Sequence, residues 1–147
     1  MARADLLDLE PGEELLAAAR ASFRGAAASS VGATFALGSA RMRMRAFDAW
    51  HDAAIGAGFP FVPPDMVIAA SDRRLLFGKP TFLGRTPSRF WSELDYAKVA
   101  QIVAVRHGLL TGVAFAFNHG AVIEVEAVRG RRLRQLVAVI DAHLPRT

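Results

Sequence analysis

The feature that most restricts this chain is the contrast between residues 66–128 and the segment after them. In the first stretch apolar residues come in short runs or alternate with polar ones, and turn residues interrupt them every few positions. From Arg131 to His143 the period changes, and Leu133, Leu136, Val137, Ile140 and Leu144 trace one helical stripe. No helical segment separates the successive strands, which argues against parallel βαβ winding. The pattern predicts an antiparallel α+β domain whose terminal helix covers the open edge or end of the sheet.

Within the β-region, Met66–Ser71 is an apolar run, Asp72-Arg73 a turn, and Arg74–Phe77 a second run closed by Gly78, together a hairpin. Pro80, Gly84 and Pro87 mark a loop, and Arg89–Leu94 reads as a short edge strand with Phe90 and Trp91 on opposite faces. Val99–His107 is β-rich and followed by Gly108. Val113, Phe115 and Phe117 then alternate with Ala114 and Ala116, and Asn118-His119-Gly120 is a tight-turn signal. In residues 121–128, Val122, Glu124 and Glu126 face one way and Ile123, Val125 and Ala127 the other.

Upstream, residues 1–12 read as an acidic leader ending in the turn pair Pro11-Gly12. Residues 14–24 fit two periods. Leu16, Ala19 and Phe23 share a helical face, while Leu15, Ala17, Ala19, Ala21 and Phe23 alternate as in a strand. After a small-residue stretch with Gly25, Gly32 and Gly38, residues 41–57 read as a helix. Ala40, Met44, Phe47 and Ala54 lie on one side of it, with Trp50 beside them. Gly56 and Gly58 end this helix, and the run from Phe59 to Pro64 cannot continue it.

A chain of 147 residues is one domain's worth, here residues 1–147 around a single core. It has no cysteine, which excludes disulfide scaffolds, thiol nucleophiles and cysteine-based zinc sites. The hydrophobic share of 52% is too high for a disordered chain, and the net charge is +4. The longest charge-free run, Gly25–Ala40, is shorter than the roughly 20 residues a membrane-spanning helix needs. With no secretory signal visible, a cytoplasmic location is expected.

Three stretches resemble bacterial pleckstrin-homology-like (PH-like) domains. Leu9-Glu10-Pro11-Gly12-Glu13 is similar to the L-x-P-G-E opening of a first strand. Val67 to Leu76 is similar to v-x-x-T-D-x-R-L-L, with Ser71 in place of Thr. The third runs from Leu94-Asp95-Tyr96 through Gly120 and Ile123-Glu124-Val125 to the final helix. The resemblance implies a seven-stranded antiparallel β-barrel or sandwich with strands near 14–24, 66–71, 74–79, 89–94, 98–107, 112–118 and 121–128. A C-terminal helix at 131–144 caps it. It tips residues 14–24 towards strand and leaves 25–64, with the helix at 41–57, as an insert between the first two strands. It also implies a binding or assembly module. The family's phosphoinositide-binding residues do not map onto this chain.

Catalytic patterns are weak. Gly-x-Ser-x-Gly is absent, Gly78-Lys79-Pro80-Thr81 lacks the earlier glycine of a P-loop, and Gly56-Ala57-Gly58 lacks the third glycine of a dinucleotide fingerprint. His51, His107, His119 and His143 have no metal-ligand spacing, so no catalytic residue, metal or cofactor is expected. Glu124 and Glu126 read as a charged solvent face. Sixteen of the eighteen basic residues are arginines, and two arginine groups stand out. Arg129, Arg131, Arg132 and Arg134 crowd the start of the last helix, where its dipole disfavours cations; the preferred reading is that Glu124 and Glu126 offset them. Arg41, Arg43 and Arg45 alternate with Met42 and Met44, suiting an anionic membrane surface or, with Phe47, Trp50, Phe59 and Phe61, a protein interface. The competing reading packs that helix on the barrel with Met44, Phe47 and Trp50 inward. The expected function is a non-catalytic module that binds a protein partner or a second copy through the insert and the open barrel end. Anionic lipid through Arg41–Arg45 is the alternative, and nucleic acid is less favoured.

Overall fold

A computed structural model describes residues 6–26, 39–81 and 86–145. Residues 1–5 of the expected leader and 27–38 of the expected insert lie outside the described residues. The elements are β1 (Leu15–Phe23), α1 (Ser39–Gly56), β2 (Asp65–Ser71), β3 (Leu75–Gly78), β4 (Ser92–Leu94), β5 (Val99–His107), β6 (Leu110–Phe117), β7 (Val122–Val128) and α2 (Arg131–His143). They form an α+β fold: one seven-stranded sheet in the order β4-β3-β2-β1-β7-β6-β5, antiparallel throughout.

The two-period segment 14–24 is a strand. Ala19, Ala21 and Phe23 point into the core while Leu16 and Arg20 face out. Its run of alanines gives α2 room to lie against it, since a methyl group keeps the inward surface low. The α2 stripe buries Leu133, Leu136, Ile140 and Leu144 among inward residues of the sheet, including Ile68, Leu75, Phe115 and Val125.

The insert does more than decorate this core. Helix α1 buries the stripe Phe47 and Ala54, with Trp50 half-buried between them, and Trp50 Nε1 donates to the Glu124 carbonyl at 2.8 Å. Arg43 begins the same stripe, with its guanidinium 5.6 Å over the Phe23 ring and paired with Asp65. Because the contact line runs 43, 47, 50, 54, Met44 falls a step off it and is 47% exposed, not inward as expected. After α1, Gly58 takes a left-handed conformation (φ 100°), and Phe59 enters the centre of the core. Its ring meets those of Phe77, Phe115 and Phe117 edge-on at 5.1, 5.4 and 6.4 Å.

One further expectation is corrected. The edge strand at 89–94 shortens to Ser92–Leu94, because Phe90 exchanges both of its backbone hydrogen bonds with Leu7 (2.7 and 2.8 Å). The same pair ties Leu7, within the expected leader, to the sheet. Among the described residues, no helix is long and apolar enough to cross a membrane.

Candidate functional site

Strands β1 and β7 are registered over only two pairs, Ser22↔Glu126 and Phe23↔Val125. Beyond these the strands part, and the opening is lined by Ala18–Arg20 on one side and by the β7–α2 junction on the other. Val67, Pro80, Thr81 and Thr86 complete a cleft of about 420 Å³. Among the described residues that line it, the charged ones are Arg20, Arg129, Arg131 and Arg132, and none is acidic.

The junction is built by two local constraints. At Gly130 a Cβ would lie 2.7 Å from the Thr111 Cβ, so only glycine fits there. Gly130 is also the N-cap of α2, so the helix starts with no capping side chain, and its first turn holds no acid. Arg129, just before it, takes a left-handed φ of 54°, fixed by its N–H donating to Leu109 O at 2.7 Å and its carbonyl accepting from Arg131 N at 2.6 Å. The positive end of the helix is thus surrounded by cations, each disfavoured there by about 0.3–1 kcal/mol when exposed.

The carboxylates expected to offset them are engaged on the far side of β7. Glu124 pairs with Arg24, and Glu126, buried rather than solvent-facing, accepts the Gly25 N–H at 2.8 Å. Arg24, Arg43, Arg73, Arg74 and Arg89 all have carboxylate partners. Arg20, Arg129, Arg131 and Arg132 have none among the described residues, while Arg134 turns away to donate to Thr111 Oγ1 at 3.2 Å. A cleft lined by four guanidiniums with no carboxylate partner among the described residues can hold an anion.

The insert residues do not converge in this way. Phe47 and Phe59 are core side chains, 7% and 2% exposed, and cannot form an interface; Trp50 is largely committed to Phe47 and Phe59. Met42, Met44 and Phe61 are exposed. Arg41 and Arg45 are exposed too, but Arg43 is taken by Asp65, and the exposed Asp48 and Asp52 share the helix. Formal charges on its outer surface therefore cancel, which weakens it as an anionic-membrane face.

Two other polar groups have structural duties. The Glu13 carboxylate accepts from Arg74 Nε and Nη2 (3.0 and 2.9 Å), from Ser71 Oγ and from the Glu10 N–H, pinning residues 10–14 to the β2–β3 turn. His51 accepts the Val62 N–H at 3.3 Å between the rings of Phe47 and Phe61; burial, opposed by Asp52 and Asp48, holds its pKa below the ordinary value.

Of the cleft arginines, Arg129, Arg131 and Arg132 were marked by their clustering, whereas Arg20 was missed. Its signal is that it is the one charged residue of β1, which becomes informative only once that segment is known to be a strand. The chain matches no protein-family model and no curated protein.

Proposed function

We propose that this protein is a non-catalytic PH-like binding module of the cytoplasm whose ligand site is the arginine cleft between β1 and the β7–α2 junction. The ligand presents a phosphate-type anion. The observation that carries this is the convergence of Arg20, Arg129, Arg131 and Arg132 on a cleft with no acidic lining residue among the described residues. The strand order, with a C-terminal helix against the sheet, supports the PH-like reading. Among the described residues no aromatic side chain lines the cleft, so base stacking finds no support there.

Calorimetric titration with inorganic pyrophosphate tests the site. Saturable binding is expected, weakened about tenfold or more by Arg131→Ala with Arg132→Ala, since each charge-assisted hydrogen bond contributes about 1.5–3 kcal/mol. Equal binding by the double variant would remove the site.

A second reading, association with a protein partner or a second copy, has its own support. The outer face of β5–β7 places exposed Val103, Val105 and Val122 around half-buried Ala114 and Ala116, and β5 is a terminal strand of the sheet.

A further inference from the structure

The sheet ends in two edges that differ. At β4 the edge is three residues long, and the bridge between Leu7 and Phe90 occupies the chain just before it. At β5 it runs nine residues, Val99–His107, without proline or lysine and with Arg106 as its one permanently charged residue. Strand β5 pairs with β6, and among the described residues no other main chain bonds to residues 100–106. A long, nearly neutral edge of this kind is a template for another strand.

The β5–β6 hairpin fixes which groups are free. Gly108 and Leu109 are the two turn residues between the paired His107 and Leu110, so that pair exchanges hydrogen bonds, and so, at alternate positions, do Val105, Val103 and Gln101. Ile102, Ala104 and Arg106 therefore aim their N–H and C=O groups away from the sheet. Val103 and Val105, 40% and 44% exposed, stand on its outer face.

We infer that β5 pairs antiparallel with β5 of a second copy about a two-fold axis at Ala104, joining two sheets edge to edge. In that register Ala104 bonds to Ala104 of the other copy, and Ile102 to Arg106. Val103 of each copy falls opposite Val105 of the other at the non-bonded sites, where side chains approach most closely, so the valines cover one another. Gln101 falls opposite His107. The two copies of Arg106 lie four positions apart along the strands, roughly 14 Å, beyond the Debye length of about 8 Å in physiological salt. Each is drawn towards its own turn, its Nε donating to the Gly108 carbonyl at 3.3 Å. This match of the strand to itself, in apolar row and in charge, identifies the occupant as a second copy. The inference rests on the reading of β5–β7 as an association surface and pairs edges where that reading allows faces to stack.

Such a contact is small and belongs with weak, transient interfaces, so light scattering is run on concentrations up to about 1 mM. Wild-type protein is expected to approach dimer mass. Ala104→Pro removes an N–H that β6 does not use, which an edge strand tolerates, and is expected to weaken association about tenfold or more. Val122→Lys, two strands away on β7, is expected to leave it unchanged. Amide hydrogen exchange of the unaltered protein gives a second reading: Ala104 and Arg106 are expected to slow as concentration rises, while Val103 and Val105 do not. A monomer at every concentration would remove both the inference and the second-copy reading. Association kept by Ala104→Pro but lost in Val122→Lys would overturn edge pairing and leave stacked faces standing. Exchange at Ala104 and Arg106 that ignores concentration in a sample that dimerises would overturn it as well.

Discussion

Arg129 occupies a backbone conformation in which a Cβ is unwelcome, yet it carries the longest of basic side chains. Glycine would sit there without that penalty, so Arg129→Gly is a direct way to separate stability from binding. The variant is expected to melt at the same temperature or higher, gaining up to about 1 kcal/mol, while its affinity for pyrophosphate falls. A melt together with a titration checks this; lowered stability with unchanged affinity would show that the guanidinium serves the fold. At this scale the sequence was only partly readable. The clustering of Arg129, Arg131 and Arg132 is visible in one dimension, but their lack of partners depends on where β7 sends Glu124 and Glu126. Phe47 and Phe59 show the same limit, because an aromatic residue in an insert looks alike whether it faces water or a core that other elements complete.

Among the elements, the segment before β1 is held by the Leu7–Phe90 bridge and by the buried carboxylate of Glu13. Arg74 first, then Ser71 and the Glu10 amide, lower the Glu13 pKa to about 2 against burial, from an ordinary 4.5. The folded value lies below the unfolded one, so this contribution is fully present above about pH 4.5 and is lost as pH falls towards 2. Glu13→Gln is expected to cost about 3 kcal/mol at neutral pH, because Arg74 loses its buried counter-charge. It should also flatten the stability slope between those two pH values, as read by denaturant melts across the acid range. At the start of α2, Gly130→Ala drives a methyl into Thr111 and is expected to cost about 1–3 kcal/mol in the same melts. The elements themselves were largely legible. A β-rich composition marked β5, alternation marked β6 and β7, and the stripe from Leu133 to Leu144 marked α2, the last three because one face of each is dry. The β1 segment was not decided by periodicity, since alanine suits either a helix or a strand beneath a helix. The shortening of β4 depended on Leu7, more than eighty residues away in sequence.

For the molecule as a whole, α2 covers one face of the sheet; on the other face Leu7, Leu15 and Phe90 cover β2 and β3, while valines on β5 and β7 stay exposed. If the valine-rimmed outer face of β5–β7 joins two copies, light scattering across a concentration series will show a reversible rise in mass, abolished by Val103→Lys with Val122→Lys. A strict monomer throughout would dismiss self-association and leave only a different protein for that surface. The insert has a broader consequence. Because the strap after α1 delivers Phe59 to the meeting point of three other rings, residues 39–64 are not an appendage that evolution or an engineer can trim to a short hairpin. A shortened descendant would be hollow at its centre and would need new bulk from β3 or β6 before it could survive the loss.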